Sequence, residues 1–233
     1  MPTVLLVRHG RSTANTSGVL AGWTPGVGLD DRGREQAEAL ALRLGELPLA
    51  AIVSSPLQRC QETVAPLVAK TGRKRVTEKR FGECRYGDWT GRKLSELVKE
   101  PLWRVVQAHP SAAVFPGADG ESMAAMAARG VAAIRHWDAR IAAEHGPNSV
   151  WVACSHGDVI KAIVADALAM HLDNFQRIVV DPGSVTAISY TETRPFVLRV
   201  NDVGGDVSAY QPPKVKRRRR RSSDAVVGGG AGA

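Results

Sequence analysis

Three short stretches of the 233-residue chain combine residue types that could carry out phosphoryl chemistry. The first is Arg8-His9-Gly10, directly after an apolar run. The second is Ser54-Ser55-Pro56-Leu57-Gln58-Arg59, and the third is Ser155-His156-Gly157. Two arginines cannot lose their charge, and each presents a flat fork that matches phosphate oxygens, so the pair suits a dianion. Cations beside an imidazole disfavour its protonation, so a histidine held there stays neutral and nucleophilic at neutral pH. A neutral histidine facing phosphorus can form a phosphohistidine, and a second, charged histidine could stabilise the equatorial oxygens. Histidine could also bind a metal, but Arg8 and Arg59 would repel one. Metal-independent chemistry without a cofactor is therefore expected.

Such residues act together only if the elements that carry them are neighbours. Residues 3–8, 51–54 and 149–154 are short continuous apolar runs, as expected for strands covered on both faces. Residues 74–78 read as a further strand, and 184–190 with 195–201 read as a closing hairpin. Helical patterns fill 31–47, with Asp30 or Asp31 as cap, and 56–70, with Pro56 in the first turn. They also fill 121–144 and 157–170. Strands alternating with helices predict an α/β fold, a three-layer sandwich whose central sheet is mostly parallel. Sheets of this kind bind ligands beyond the carboxyl ends of their strands, where the three stretches lie, and a helix N-terminus there adds free N–H groups. Segment 86–120 breaks the alternation with Gly/Pro turns and is expected to form a small cap. The predicted domain is 1–203, and the Gly/Arg-rich remainder, 204–233, is expected to be disordered.

Composition bounds the function. Hydrophobic residues make up 44% of the chain, and no apolar stretch approaches membrane-span length. The start lacks a signal-peptide pattern, so a cytoplasmic protein without membrane insertion is expected. Residues 214–221 carry seven positive charges and Asp224 is the one later acid. Of the net charge of +8, the tail therefore supplies +6 and the body +2. The run Arg217–Arg221 suits weak contact with nucleic acid or an anionic surface, although a solvated tail is the ordinary outcome. Cys60, Cys84 and Cys154 lack metal-ligand spacing and read as reduced. His109, His136, His145 and His171 read as structural or surface residues. Monomer and homodimer both remain open.

The blocks "LVRHGRSTAN", "SSPLQRCQET", "FGECRYGDWTG" and "VACSHGDVIKAIV" resemble, in order, the signature blocks of the histidine phosphatase superfamily, phosphoglycerate-mutase-like branch. The resemblance covers roughly residues 3–200. It implies that His9 is the phosphorylated nucleophile and that Arg8, Arg59 and His156 surround the phosphoryl group, with the Gly157 N–H nearby. Asn15 would donate to the phosphate. Gly22 would meet substrate through its backbone, although Ala21 replaces a hydroxyl residue common in the family. Glu83 would be the acid that protonates the leaving oxygen, with Glu78, Glu35 and Asp88 as alternatives, and a carboxyl beside a dianion should have a raised pKa. The turn 117–122 offers Glu121 or Ser122 to the phosphate edge, and a helix start capped by Asp119 or Ser122 is an equally good reading. Arg92, Lys93, Trp103 and Arg104 would be cap contacts to substrate. Tyr86-Gly87-Asp88-Trp89-Thr90-Gly91 and the short insertion after it resemble phosphatase members. The expected activity is therefore hydrolysis of a small phosphorylated metabolite. The alternatives are a phosphoglycerate-mutase-type phosphomutase and a noncatalytic phosphate-binding protein.

Overall fold

The structure, a computed structural model, describes residues 2–204 and 227–228. Six strands, β1 (Thr3–Arg8), β2 (Leu49–Ser54), β3 (Arg75–Thr77), β4 (Val150–Ser155), β5 (Val185–Tyr190) and β6 (Pro195–Asp202), form one sheet in the order β3-β2-β4-β1-β5-β6. Strands β3, β2, β4 and β1 are parallel, and β5 and β6 complete the sheet antiparallel. The expected α/β fold with a mostly parallel sheet is what forms.

The alternation of side chains across β1 explains its continuous apolar sequence. Val4 and Leu6 pack into one apolar layer with Met126, Ile134, Val159 and Ile163. Leu5 and Val7 pack into the opposite layer with Leu40, Leu44, Val64 and Leu67. The first layer holds helices α6 (Met123–His145) and α7 (Gly157–Ala167); the second holds α2 (Asp31–Leu44) and α3 (Gln58–Thr71). Fully burying each such side chain is worth about 1.5–3 kcal/mol, so the strand tip that carries the chemistry is firmly held.

Local chemistry sets the helix starts. Asp30, not Asp31, caps α2, accepting from Gly33 N–H at 2.8 Å. Ser122 caps α6, accepting from Ala125 N–H. Helix α3 begins two residues later than Pro56, because Leu57 is extended and its N–H donates to Ser55 Oγ. Arg59 nevertheless stays in the first turn.

Within 86–120, α4 (Leu94–Leu97), α5 (Pro101–Ala108) and two 3₁₀ turns pack Tyr86, Trp89, Leu97, Trp103 and Phe115 against the α6/α7 layer. Among the described residues, no helix is long and apolar enough to cross a membrane. The expectation of disorder for 204–233 falls largely on residues 205–226 and 229–233, which lie outside the described residues, as does Arg217–Arg221. For Val227 and Gly228 the structure differs from that expectation: Val227 is buried among the apolar side chains beside the site.

Candidate active site

Strands β2, β4 and β1 are adjacent, and all three carry their polar stretches away from the same edge of the sheet. The ladder extends one residue past each strand. His9 N–H donates to Ser155 O at 3.0 Å, and Ser55 N–H donates to Cys154 O at 2.9 Å. Arg8-His9, Ser55-Pro56 and Ser155-His156 are thus locked side by side. Gly10 is required because a Cβ there would lie 2.6 Å from Gly33 O, where the start of α2 passes.

A cavity of about 180 Å³ opens at this edge, lined by His9, Asn15, Gly22, Arg59 and Glu83 together with Val19, Leu20, Ala21 and Leu94. Of the site residues expected from sequence, five line it. Arg8 and His156 are fully buried and outside that lining, and Gly157 opens α7 immediately after His156.

The tautomer of His9 follows from its partner. Nδ1 lies 2.7 Å from Gly10 O, which can only accept, so Nδ1 carries the proton. Burial first, and then Arg59 and Arg8, push the imidazole well below its ordinary pKa. His9 is therefore neutral, with its Nε2 lone pair available. The rings of His9 and His156 are 5.2 Å apart. His156 is also pushed well below its ordinary value, by burial, Arg59 and His9. His156 is thus held toward its neutral form, and the condition of charge under which it would stabilise equatorial oxygens is not favoured by these neighbours. Its Nε2 lies 2.8 Å from Ser55 Oγ and 3.4 Å from Cys60 Sγ.

Arg59 Nη2 donates to Gly22 O at 3.0 Å. Gly22 has φ of +48°, and a Cβ there would meet Thr90 Oγ1 at 2.9 Å, so glycine alone allows this carbonyl to reach Arg59. Arg8 Nη1 donates to Val180 O at 2.7 Å. Asn15 accepts through Oδ1 from the N–H and hydroxyl of Ser12, which leaves its NH₂ as the group to offer a ligand.

Glu83 is buried, accepts at Oε1 from Cys84 N–H, and has a pKa pushed up to about 7 by burial and by the nearby negative charge of Asp158. The alternative acids are elsewhere. Glu78 is held by Arg80 and Trp137, with its pKa pulled down to about 2, Glu35 pairs with exposed Arg32, and Asp88 is exposed.

Several contacts expected from sequence are not made. Glu121 binds Arg129 instead of reaching the cavity. Arg92 pairs with Glu100, and Trp103 stacks on Trp89. None of Arg92, Lys93, Trp103 and Arg104 lines the cavity, to which the cap contributes Tyr86 and Leu94. His109, His136, His145 and His171 are exposed. The three cysteines are free and buried, and burial raises the Cys84 and Cys154 thiols well above their ordinary value.

Residues that the motifs did not single out complete the site. Arg129 donates to the carbonyls of Arg80, Gly82 and Glu83, and Trp23 Nε1 donates to Glu83 O. Together they pin the loop that carries Glu83. Asp158 accepts at 3.1 Å from the Oη of Tyr86, which lines the cavity.

The model of the histidine phosphatase superfamily (branch 1) matches residues 4–203. The chain belongs to this superfamily. Phosphoserine phosphatase 1 of Hydrogenobacter thermophilus is 29% identical over 209 residues, covering 86% of this chain and 92% of that one. The 2,3-bisphosphoglycerate-dependent phosphoglycerate mutase of Thermoplasma acidophilum is 25% identical over 210 residues, covering 90% and 98%. Mycobacterial glucosyl-3-phosphoglycerate phosphatase superposes with a TM-score of 0.74 at 25% identity, covering 86% of this chain and 98% of that structure. The relatives of this histidine phosphatase superfamily enzyme thus include both phosphatases and a mutase.

Proposed function

We propose that the chain is a phosphomonoester hydrolase acting through a phosphohistidine at His9. The observation that carries this reading is the pairing, in one cavity, of a neutral His9 whose Nδ1 is committed to Gly10 O with a Glu83 carboxyl whose pKa lies near 7. His9 Nε2 attacks phosphorus, the phosphorus–oxygen ester bond breaks, and the leaving oxygen takes the Glu83 proton. Water then attacks the phosphohistidine while Glu83, now a carboxylate, accepts its proton. The phosphorus–nitrogen bond breaks and inorganic phosphate is released. Arg8, Arg59 and the Asn15 NH₂ meet the charge on the phosphoryl oxygens, and His156 donates a hydrogen bond to one of them. The steps use no metal.

The cavity supports hydrolysis over mutase transfer. A mutase must retain a bisphosphorylated intermediate, which calls for cations around the leaving group. Val19, Leu20, Ala21 and Leu94 line the cavity, whereas Arg92, Lys93 and Arg104 do not. The substrate class is a small phosphorylated metabolite.

The test is turnover of p-nitrophenyl phosphate in EDTA by the wild type and by His9→Ala. Loss of about 10³-fold or more is expected in the variant, and retained turnover would remove the mechanism. Supplying 3-phosphoglycerate with and without 2,3-bisphosphoglycerate addresses the mutase reading: inorganic phosphate is expected, and 2-phosphoglycerate would overturn the choice. Binding of phosphate without turnover of any phosphomonoester would favour the noncatalytic alternative.

A further inference from the structure

Val227 and Gly228 sit in the wall of the catalytic cavity, far in sequence from every other residue there. Val227 is 1% exposed and belongs to the apolar cluster that includes Leu20 and Tyr86. Gly228 is gripped at both ends of its backbone. Its N–H donates to Asp158 Oδ2 at 2.9 Å, and its carbonyl accepts from Arg8 Nη2 at 3.4 Å. Both partners are completely buried. The fit is specific for glycine: φ is +75°, and a Cβ would lie 3.2 Å from both Leu20 Cδ1 and Tyr86 Oη.

Arg8 is the consequence of interest. It is absent from the cavity lining that contains Arg59, His9 and Gly228. A neutral peptide carbonyl accepts from one of its Nη groups. A phosphoryl oxygen is a stronger acceptor for a guanidinium, but it needs the same donor face. We propose that the C-terminal segment carrying Val227 and Gly228 is an internal competitor of the phosphoryl group for Arg8, an autoinhibitory contact built into the chain. This rests on the assignment of Arg8 as a phosphate ligand.

Among the described residues, one apolar side chain and two backbone hydrogen bonds anchor the segment, and tethering strengthens such a contact. Covalent attachment to the same chain supplies an effective concentration of about millimolar, so the contact can be populated within one chain although the free segment would bind poorly. Substrate then binds with an affinity reduced by the fraction of molecules whose cavity is clear.

The test compares the full chain with one ending at Asp224, which keeps the arginine run and removes residues 225–233. Two quantities are measured: the dissociation constant for inorganic phosphate by calorimetry, and KM and kcat for p-nitrophenyl phosphate. Truncation is expected to tighten phosphate and lower KM by about three- to tenfold with little change in kcat, as removal of a mostly bound competitor requires. Full-length Gly228→Val, which cannot seat, should match the truncated chain. The peptide AVVGGGAGA added at about millimolar concentration should restore the weaker phosphate affinity of the full chain. Unchanged or weaker phosphate binding on truncation would overturn the proposal, the weaker case making the segment a supporting wall of the site. Failure of the underlying assignment reads differently: Arg8→Ala in the truncated chain would then leave phosphate affinity intact.

Discussion

Glu83 and His156 face each other inside the protein with Oε2 3.8 Å from Nδ1, and both side chains are nearly inaccessible to solvent. Two such groups could form an ion pair, but the surroundings push each toward its neutral form. Burial and Asp158 raise Glu83, while burial and Arg59 lower His156. The site therefore holds a carboxyl that is partly protonated near neutral pH next to a neutral imidazole and fixed arginine charge. A dianion reverses that balance, because it offsets Arg8 and Arg59 and favours protonation of both groups.

Phosphate binding should accordingly take up protons. Calorimetry in buffers of different ionisation enthalpy, above the second ionisation of phosphate, measures the uptake directly. In a Glu83→Gln background the remaining uptake belongs to His156. Proton release, or heats independent of buffer, would contradict a neutral His156 in the free enzyme.

The proposed mechanism predicts an alkaline limit to activity. With Glu83 as the proton donor when the ester bond breaks, kcat/KM should fall as pH rises past about 7. Removing the charge of Asp158, as in Asp158→Asn, takes away a cause that raises Glu83, and the alkaline limb should move to lower pH. Glu83→Gln should cost about 10²–10⁴-fold in kcat and abolish that limb, with the smaller losses on esters whose leaving group needs no proton. A limb that stays fixed in Asp158→Asn would argue against Glu83 as its origin.

Arg129 holds the loop that carries Glu83 without lining the cavity. Its guanidinium bonds three carbonyls of the 80–83 loop and the Glu121 carboxylate. Arg129→Met takes the side-chain donor from the Arg80 and Gly82 carbonyls and leaves the largely buried Glu121 carboxylate with the Arg85 N–H in place of a cation, so unfolding stability should drop by about 2–4 kcal/mol. Phosphate affinity should change little while kcat falls, because the arginine clamp is separate from this loop. Denaturant midpoints and phosphate titrations distinguish the two effects. Equal losses in affinity and kcat would mean that the loop also shapes the phosphate pocket.

Gly22 links backbone conformation to the position of Arg59. Gly22→Ala combines a positive φ with a contact to Thr90 and should cost about 1–2 kcal/mol from the left-handed backbone alone. The displaced carbonyl would release Arg59, so KM should rise. Adding Thr90→Ala removes the steric part and should restore KM in part. No recovery would assign the whole defect to φ.

Glu78 gives the fold an acid sensitivity unrelated to catalysis. Arg80 and Trp137 hold it to a pKa of about 2, below its ordinary 4.5. A depressed carboxylate stabilises the native state above its unfolded pKa, and this contribution disappears as pH falls from about 4.5 toward 2. Because Arg80 is partly exposed, the contribution is about 1 kcal/mol. Glu78→Gln should lower the neutral-pH melting temperature slightly and flatten its dependence on pH over that interval. A profile identical to wild type would place the acid sensitivity elsewhere.

The order and nature of the reactive blocks were legible in the residues alone. A buried strand needs apolar side chains on both faces, and a functional turn needs a sudden change to Arg, His, Ser and Gly. Both conditions are local, so "VLLVRHG", "AIVSSP" and "VWVACSHG" announced strand tips before their neighbours were known. Helix caps were nearly as legible, with Asp30 and Ser122 among the candidates.

The choice of acid was not decided by sequence. Glu83 and Glu78 are the same residue type five positions apart. One is buried beside Asp158 with its pKa near 7, and the other is held by Arg80 and Trp137 near 2. Environment separates them, and environment comes from segments distant in the chain. The same holds for Arg129, which no motif marks, and for Arg92 and Trp103, whose partners turn them away from the cavity. Val227 and Gly228 are the clearest case. Their small-residue surroundings predict an unstructured end, because short-range pattern carries no information about a complementary pocket formed by Leu20, Tyr86, Arg8 and Asp158. Sequence determined which chemistry the chain could perform. Tertiary structure decided which carboxyl is buried at the cavity with a raised pKa and what stands beside Arg8, because charge and burial act through space and not along the chain.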